Sequence, residues 1–169
     1  MKGIVEDLIG ITLKQIRCVN ELIKLAEEET EALKKNDVPF LSKLCVKMNE
    51  AAQKLLELEG ERMQACEKLA SFLGIPGDAP FSELKKALSQ NGQGSFEEIE
   101  ELVEKTESLK RAYGRLQDQN RLNRQLLKQS LSYIRGLEET LGLRKGSIYG
   151  KDGEYERISE EGTLLNREV

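Results

Sequence analysis

Histidine and tryptophan are absent from these 169 residues, and four Phe and four Tyr are the only aromatics. Without histidine the commonest acid–base group near neutral pH is missing, which leaves catalysis little to work with. The same absence removes the His half of a bundle di-iron motif and the usual partners of a zinc site. Only three cysteines occur, Cys18, Cys45 and Cys66, far apart and with no Cys-x-x-Cys pair. They read as small buried hydrophobes rather than as ligands or bridges. No run of about 18 apolar residues is present, so no transmembrane helix is expected. The opening residues Met1-Lys2-Gly3-Ile4-Val5-Glu6-Asp7 turn acidic at once, unlike a secretion signal, and Lys2 spoils a myristoylation pattern. Basic excess is lacking too: the net charge is -4, which argues against a general attraction to nucleic acid. The expectation is a cytoplasmic protein with no catalytic, cofactor or metal site, and with no stable membrane insertion.

What the chain has instead is persistent helical periodicity. Charged residues make up 33% and hydrophobic residues 38%, the profile of long helices around a narrow core. Steps of three and four give Val5, Ile9, Thr12, Ile16, Val19, Ile23, Ala26, Thr30 and Leu33 over residues 2–35. A turn at Asn36-Asp37-Val38-Pro39 follows, with Asp37 able to accept free amides and Pro39 suited to a first helical turn. The next seam is Leu41, Leu44, Met48, Ala51, Leu55, Leu58, Arg62, Ala65, Leu69 and Phe72, over residues 38–73. Gly74 and Pro76 end it. A short helix is expected at about 81–90 and a loop at Asn91-Gly92-Gln93-Gly94. Gly92-Gln93-Gly94 lacks the strand and later glycine of a nucleotide fingerprint.

The last long helix, 96–142, opens on a Ser95/Glu98 capping-box spacing. Its seam is Ile99, Leu102, Thr106, Leu109, Tyr113, Leu116, Asn120, Asn123, Leu127, Ser130, Ile134, Leu137 and Leu141, nine of thirteen apolar. Charge along it is polarised. Glu97, Glu98, Glu100, Glu101, Glu104 and Glu107 come first, and Lys110, Arg111, Arg115, Arg121, Arg124, Lys128 and Arg135 follow. Acid first and base last complements the helix dipole. The basic band reads mainly as a solvated face, then as a surface for an acidic partner. A nucleic-acid surface is a weaker reading: Lys110, Arg111, Arg115 and Arg121 could track phosphates, but the one aromatic among these four is Tyr113, which the seam claims.

The expected architecture is therefore all-α: an elongated antiparallel bundle or coiled coil of three long helices, with a short connecting helix. Residues 1–142 form the bundle, and 143–169 a flexible tail. The turn positions put Asn20, Asn49, Asn120 and Asn123 near one level, where amides could bond one another and fix alignment. Glycines crowd the tail (Gly142, Gly146, Gly150, Gly153, Gly162), while Tyr149, Tyr155, Ile158, Leu164 and Leu165 are apolar points with little core to enter. Such a segment is suited to folding onto a partner. A seam of three helices closes alone or leaves an edge open, so monomer and homodimer are both compatible.

Asn120-x-x-Asn123-x-x-Leu126-Leu127, a further stretch of helix, and then Ile148-Tyr149-Gly150-Lys151-Asp152-Gly153 together resemble the C-terminal signature of the FlgN-type flagellar type III export chaperones. In that family an Asn-x-x-Asn-x-x-Leu-Leu helix precedes an apolar residue, Tyr, Gly, two variable positions and Gly. The long helical layout is also similar, although the specific residues lie between about 113 and 153. The resemblance implies a chaperone that binds unassembled hook–filament junction (hook-associated) proteins and prevents their premature association. It implies delivery of these clients to the flagellar export gate, with the client's C-terminal helical region held by the chaperone's C-terminal part. Asn120, Asn123, Leu126, Leu127, Ile134, Ile148, Tyr149, Gly150, Gly153, Tyr155, Ile158, Leu164 and Leu165 are the implied or expected partner-binding residues, with Tyr149 linked to gate docking. The competing class is a structural coiled-coil or adaptor protein without an export client; a third is an RNA-binding arm.

Overall fold

The computed structural model describes residues 2–91 and 96–141. Among them every regular element is an α-helix: α1 Lys2–Lys35, α2 Val38–Leu73, α3 Phe81–Asn91 and α4 Phe96–Thr140. The chain divides into two compact units, residues 1–130 and 131–169, and α4 contributes to both.

The turn between α1 and α2 is short because its side chains and backbone do all the capping. Asn36 takes a left-handed conformation (φ 53°), and its amide reaches Leu33 O at 3.2 Å while the Asp37 amide reaches Ala32 O at 3.0 Å. This closes the last carbonyls of α1. The carboxylate of Asp37 then accepts from the Phe40 amide at 3.1 Å, opening α2. At the far end Gly74 (φ 70°) repeats the left-handed stop, with Ile75 N bonded to Ala70 O at 3.0 Å. A Cβ added at Gly74 would meet nothing within 4 Å. Gly74→Ala is therefore expected to cost about 1 kcal/mol from backbone strain alone. A urea midpoint lowered with an unchanged slope would show it; an unchanged midpoint would contradict it.

α2 runs back along α1. Gln15 Nε2 donates to Glu59 Oε2 (2.9 Å), and the Cys18 thiol to the Ala51 carbonyl (3.2 Å). α4 follows α1 in the same direction. Ile99 and Leu102 join Val5, Leu8 and Ile9, and further along Leu109 and Ala112 join Val19 and Ile23. The first of these clusters draws on all four helices, since Leu69 and Ala70 of α2 and Leu84 and Leu88 of α3 complete it. α1, the helix between α2 and α4, carries the widest apolar stripe and the most buried side chains.

Several sequence expectations change once the faces are known. Cys18 is buried and Cys66 half-buried, but Cys45 is exposed, because it follows the inward Leu44 by one position and so turns about 100° away. Phe72, the end of the α2 seam, is exposed: a strict seven-residue pattern drifts about 20° per heptad on a straight helix, and by Phe72 it has left the core. Asn20 and Asn49 are also exposed, so the four-asparagine layer does not form. Being level along the axis does not put a residue on the inner face. The dipole expectation for α4 is half met, with Glu97 and Glu98 in the first turn but no basic residue in the last. The Ser95 cap and the tail, 143–169, lie outside the described residues.

Candidate functional site

Arg62 is the one charged member of the α2 seam, and its charge is matched on the spot. Its Nε and Nη2 bind the two oxygens of Glu59 at 2.7 and 2.6 Å, one helical turn away. The Arg62 hydrogen bond holds the Glu59 carboxyl below its usual range against the opposing effect of partial burial, and Gln15 adds to it. Burial pushes the nearby thiol of Cys66 and the phenol of Tyr113 up. A half-open cavity of about 470 Å³ lies over this group, between Leu8, Phe81, Leu102 and Leu109. The carboxylate and guanidinium neutralise each other within α2, and the Gln15 amide ties the pair to α1. Among the described residues no cluster of His, Cys, Asp or Glu is arranged to hold a metal ion. No described helix is long and apolar enough to cross a membrane.

α4 holds the more informative surface. Asn123 is 4% exposed, and α1 occupies its amide completely. Nδ2 donates to the Ala26 carbonyl and to Glu29 Oε2, both at 2.7 Å, and Oδ1 accepts from the Thr30 hydroxyl at 2.5 Å. The Thr30 oxygen in turn accepts from Gln119 Nε2. Every polar atom of the Asn123 side chain is thus satisfied within the fold. Asn120 and Leu126 are half-buried.

Beyond Asn123 the same seam comes to the surface. Leu127 is 47% exposed, Leu131 45%, Ile134 48%, Leu137 41% and Leu141 56%. At about 100° per residue, Leu127, Leu131, Ile134 and Leu141 occupy a sector of roughly 80°, the sector in which Leu109, Leu116 and Asn123 face α1. Leu122 and Tyr133, also exposed, widen it on one side. α4 has 45 residues against 34 in α1, and Thr30, which meets Asn123, is within two turns of the end of α1. Isolated exposed leucines need no explanation, but a row of them at helical spacing does.

Two of the expected partner-binding residues, Leu127 and Ile134, belong to this row, whereas Asn123 is held inside the fold. Leu131, Tyr133, Leu137 and Leu141 were not singled out as partner-binding, because a heptad pattern alone cannot distinguish a buried seam from an uncovered one. Comparing helix lengths would have separated them. Ile148, Tyr149, Gly150, Gly153, Tyr155, Ile158, Leu164 and Leu165 lie outside the described residues.

A seam that begins buried and ends uncovered on one helix leaves an apolar face for something else to cover. The sequence profile described as FlgN protein matches residues 1–157. The chain belongs to the FlgN family. FlgN proteins are flagellar chaperones, so the uncovered part of α4 sits in a family whose work is holding other proteins. A protein of Bacillus subtilis (strain 168), uncharacterized protein YvyG, is 33% identical over 134 residues, covering 79% of this chain and 75% of that one. No solved structure matches the chain.

Proposed function

We propose that this FlgN-family chain is a cytoplasmic export chaperone for hook-associated proteins, the hook–filament junction subunits. It binds their C-terminal helical regions before assembly, keeps them from associating early, and delivers them to the type III export gate. The observation that carries this reading is the uncovered apolar row Leu127, Leu131, Ile134, Leu137 and Leu141 on α4. A client segment destined for helical packing has an apolar stripe of its own that aggregates unless it is covered. Laying that stripe along α4 extends the seam that α1 leaves unfinished, by helix-in-groove packing.

The bundle of α1, α2 and α4 acts as the rigid base, and residues 143–169 as a second contact. In the tail, Tyr155, Ile158, Leu164 and Leu165 close over the client, while Ile148, Tyr149, Gly150 and Gly153 serve the gate. Ordering such a segment costs free energy and keeps binding releasable. The experiment is a pair of binding titrations, one with a hook-associated client and one with the cytoplasmic part of the gate. Removing residues 143–169 is expected to preserve helical content while weakening client or gate binding. Tyr149→Ala is expected to weaken gate docking more than client capture. Unchanged binding of both partners by the truncated chain would leave the tail without a role, and equal effects of Tyr149→Ala on both would refute the division of labour.

A further inference from the structure

Charge is arranged on α4 in a way that the apolar row alone does not require. Arg124, Lys128 and Arg135 fall in a sector of roughly 40° along one edge of the row. All three are exposed, and they form no ion pair among the described residues. Arg121, at the same edge, is held by Asp118 at 2.9 Å, and Glu139, on that edge near the end of the helix, is itself engaged. The opposite edge is formed by Leu122, Leu126, Tyr133 and Leu137 and carries no charge. Within the row itself only Glu138, near the end of the helix, is ionisable.

We propose that this face receives a partner helix whose apolar stripe is bordered on one side by carboxylates; the proposal rests on the client-binding reading above and names the chemistry of the client. A helix laid on the row puts its two borders against the two edges of α4. One border then meets Arg124, Lys128 and Arg135, and the other meets leucine and tyrosine. A basic or doubly charged helix would set like charges together or bury a charge against Leu137 and Tyr133, and both are unfavourable. A helix acidic on one side only satisfies both edges, and it does so in one rotational setting, so the cations select register as well as partner. Two other occupants fit less well. In an antiparallel pair of α4 helices like edges meet, so a second copy of the chain would set cation against cation. Nucleic acid would leave the leucines uncovered and find the exposed aromatic, Tyr133, on the edge opposite the three cations.

The test uses the full chain and three designed amphipathic helical peptides with one leucine stripe and Glu, Gln or Lys along one border, followed by fluorescence anisotropy. Exposed ion pairs are each worth about fivefold at most and commonly about twofold, so three of them are expected to make the Glu-bordered peptide bind about tenfold more tightly than the Gln-bordered one at low salt. That advantage should shrink at high ionic strength. The triple variant Arg124→Glu, Lys128→Glu, Arg135→Glu should reverse the order and prefer the Lys-bordered peptide. Equal binding of all three peptides to the unmodified chain, or a triple variant that still prefers glutamate, overturns the proposal. Equal binding that is lost in Leu131→Asp/Ile134→Asp would do so while sparing the client-binding reading. Failure of every peptide and of a hook-associated client to bind would sink that reading itself. Displacement of the Glu-bordered peptide by single-stranded RNA, by a second copy of the chain, or by residues 143–169 supplied as a peptide would assign the face to that occupant instead.

Discussion

Replacing Leu131 and Ile134 with aspartate is expected to weaken client capture at least about a hundredfold while leaving the thermal transition unmoved. Each side chain is nearly half exposed, so neither contributes much to the fold in the free protein. Covering the exposed half of a leucine or isoleucine is worth about 0.7–1.5 kcal/mol, and two of them account for about one to two decades in affinity. Aspartate adds the cost of desolvating a carboxylate beneath the partner helix. Exposed Asp in mid-helix is a poorer helix former than Leu by a few tenths of a kcal/mol, which is small against the bundle core. Isothermal titration with a hook-associated client and a parallel thermal melt would separate the two effects. An affinity within threefold of the unmodified chain would remove α4 from the client interface. A large drop in melting temperature would mean that the row packs within the chain.

Thr30→Val is expected to destabilise the fold by about 1–3 kcal/mol, more than the loss of one methyl-sized polar group at a surface would do. The hydroxyl is buried and serves three partners, accepting from Gln119 and sharing its proton between Asn123 Oδ1 and the Ala26 carbonyl. Valine removes all three interactions at once and leaves the buried Asn123 Oδ1 with no donor, the expensive way to break a hydrogen bond. Asn123→Leu alone should change stability by less than about 1 kcal/mol. The Thr30 hydroxyl keeps the Ala26 carbonyl at 3.0 Å, and half-buried Glu29 can turn to water. The double variant Thr30→Val/Asn123→Leu replaces both partners with apolar groups and should regain most of what Thr30→Val loses. A double-mutant cycle from denaturant melts measures that recovery. Simple additivity would mean that the node is not a unit.

Much of the fold was legible in the sequence because the turns are specified locally. Asn36, Asp37 and Pro39 fix the hairpin, and Gly74 and Pro76 fix the next stop, all through backbone preferences that need no tertiary information. The inner faces of α1 and α2 followed from unbroken three–four spacing. What failed was rotation and depth. Cys45, Asn20 and Asn49 lie at expected heights but on outer faces, and Phe72 drifts out at the end of a long seam. The Asn-x-x-Asn spacing was read as a contact for another protein, yet Asn123 spends its whole hydrogen-bonding capacity on Ala26, Glu29 and Thr30. Nothing in a single sequence distinguishes an asparagine that greets a partner from one that fastens a helix. The uncovered row was present as a pattern and became a surface only when the length of α4 was set against that of α1.

The knot tied by Asn123, Thr30 and Gln119 also acts as a doorstop. On the client-binding reading proposed above, a guest helix creeping up α4 from the leucines meets Asn123, whose every side-chain polar atom is already engaged, and prising α1 away would forfeit those bonds. If α4 holds the client as proposed, loading halts at that latitude, and the guest is peeled off from its far end while the scaffold behind the stop stays shut.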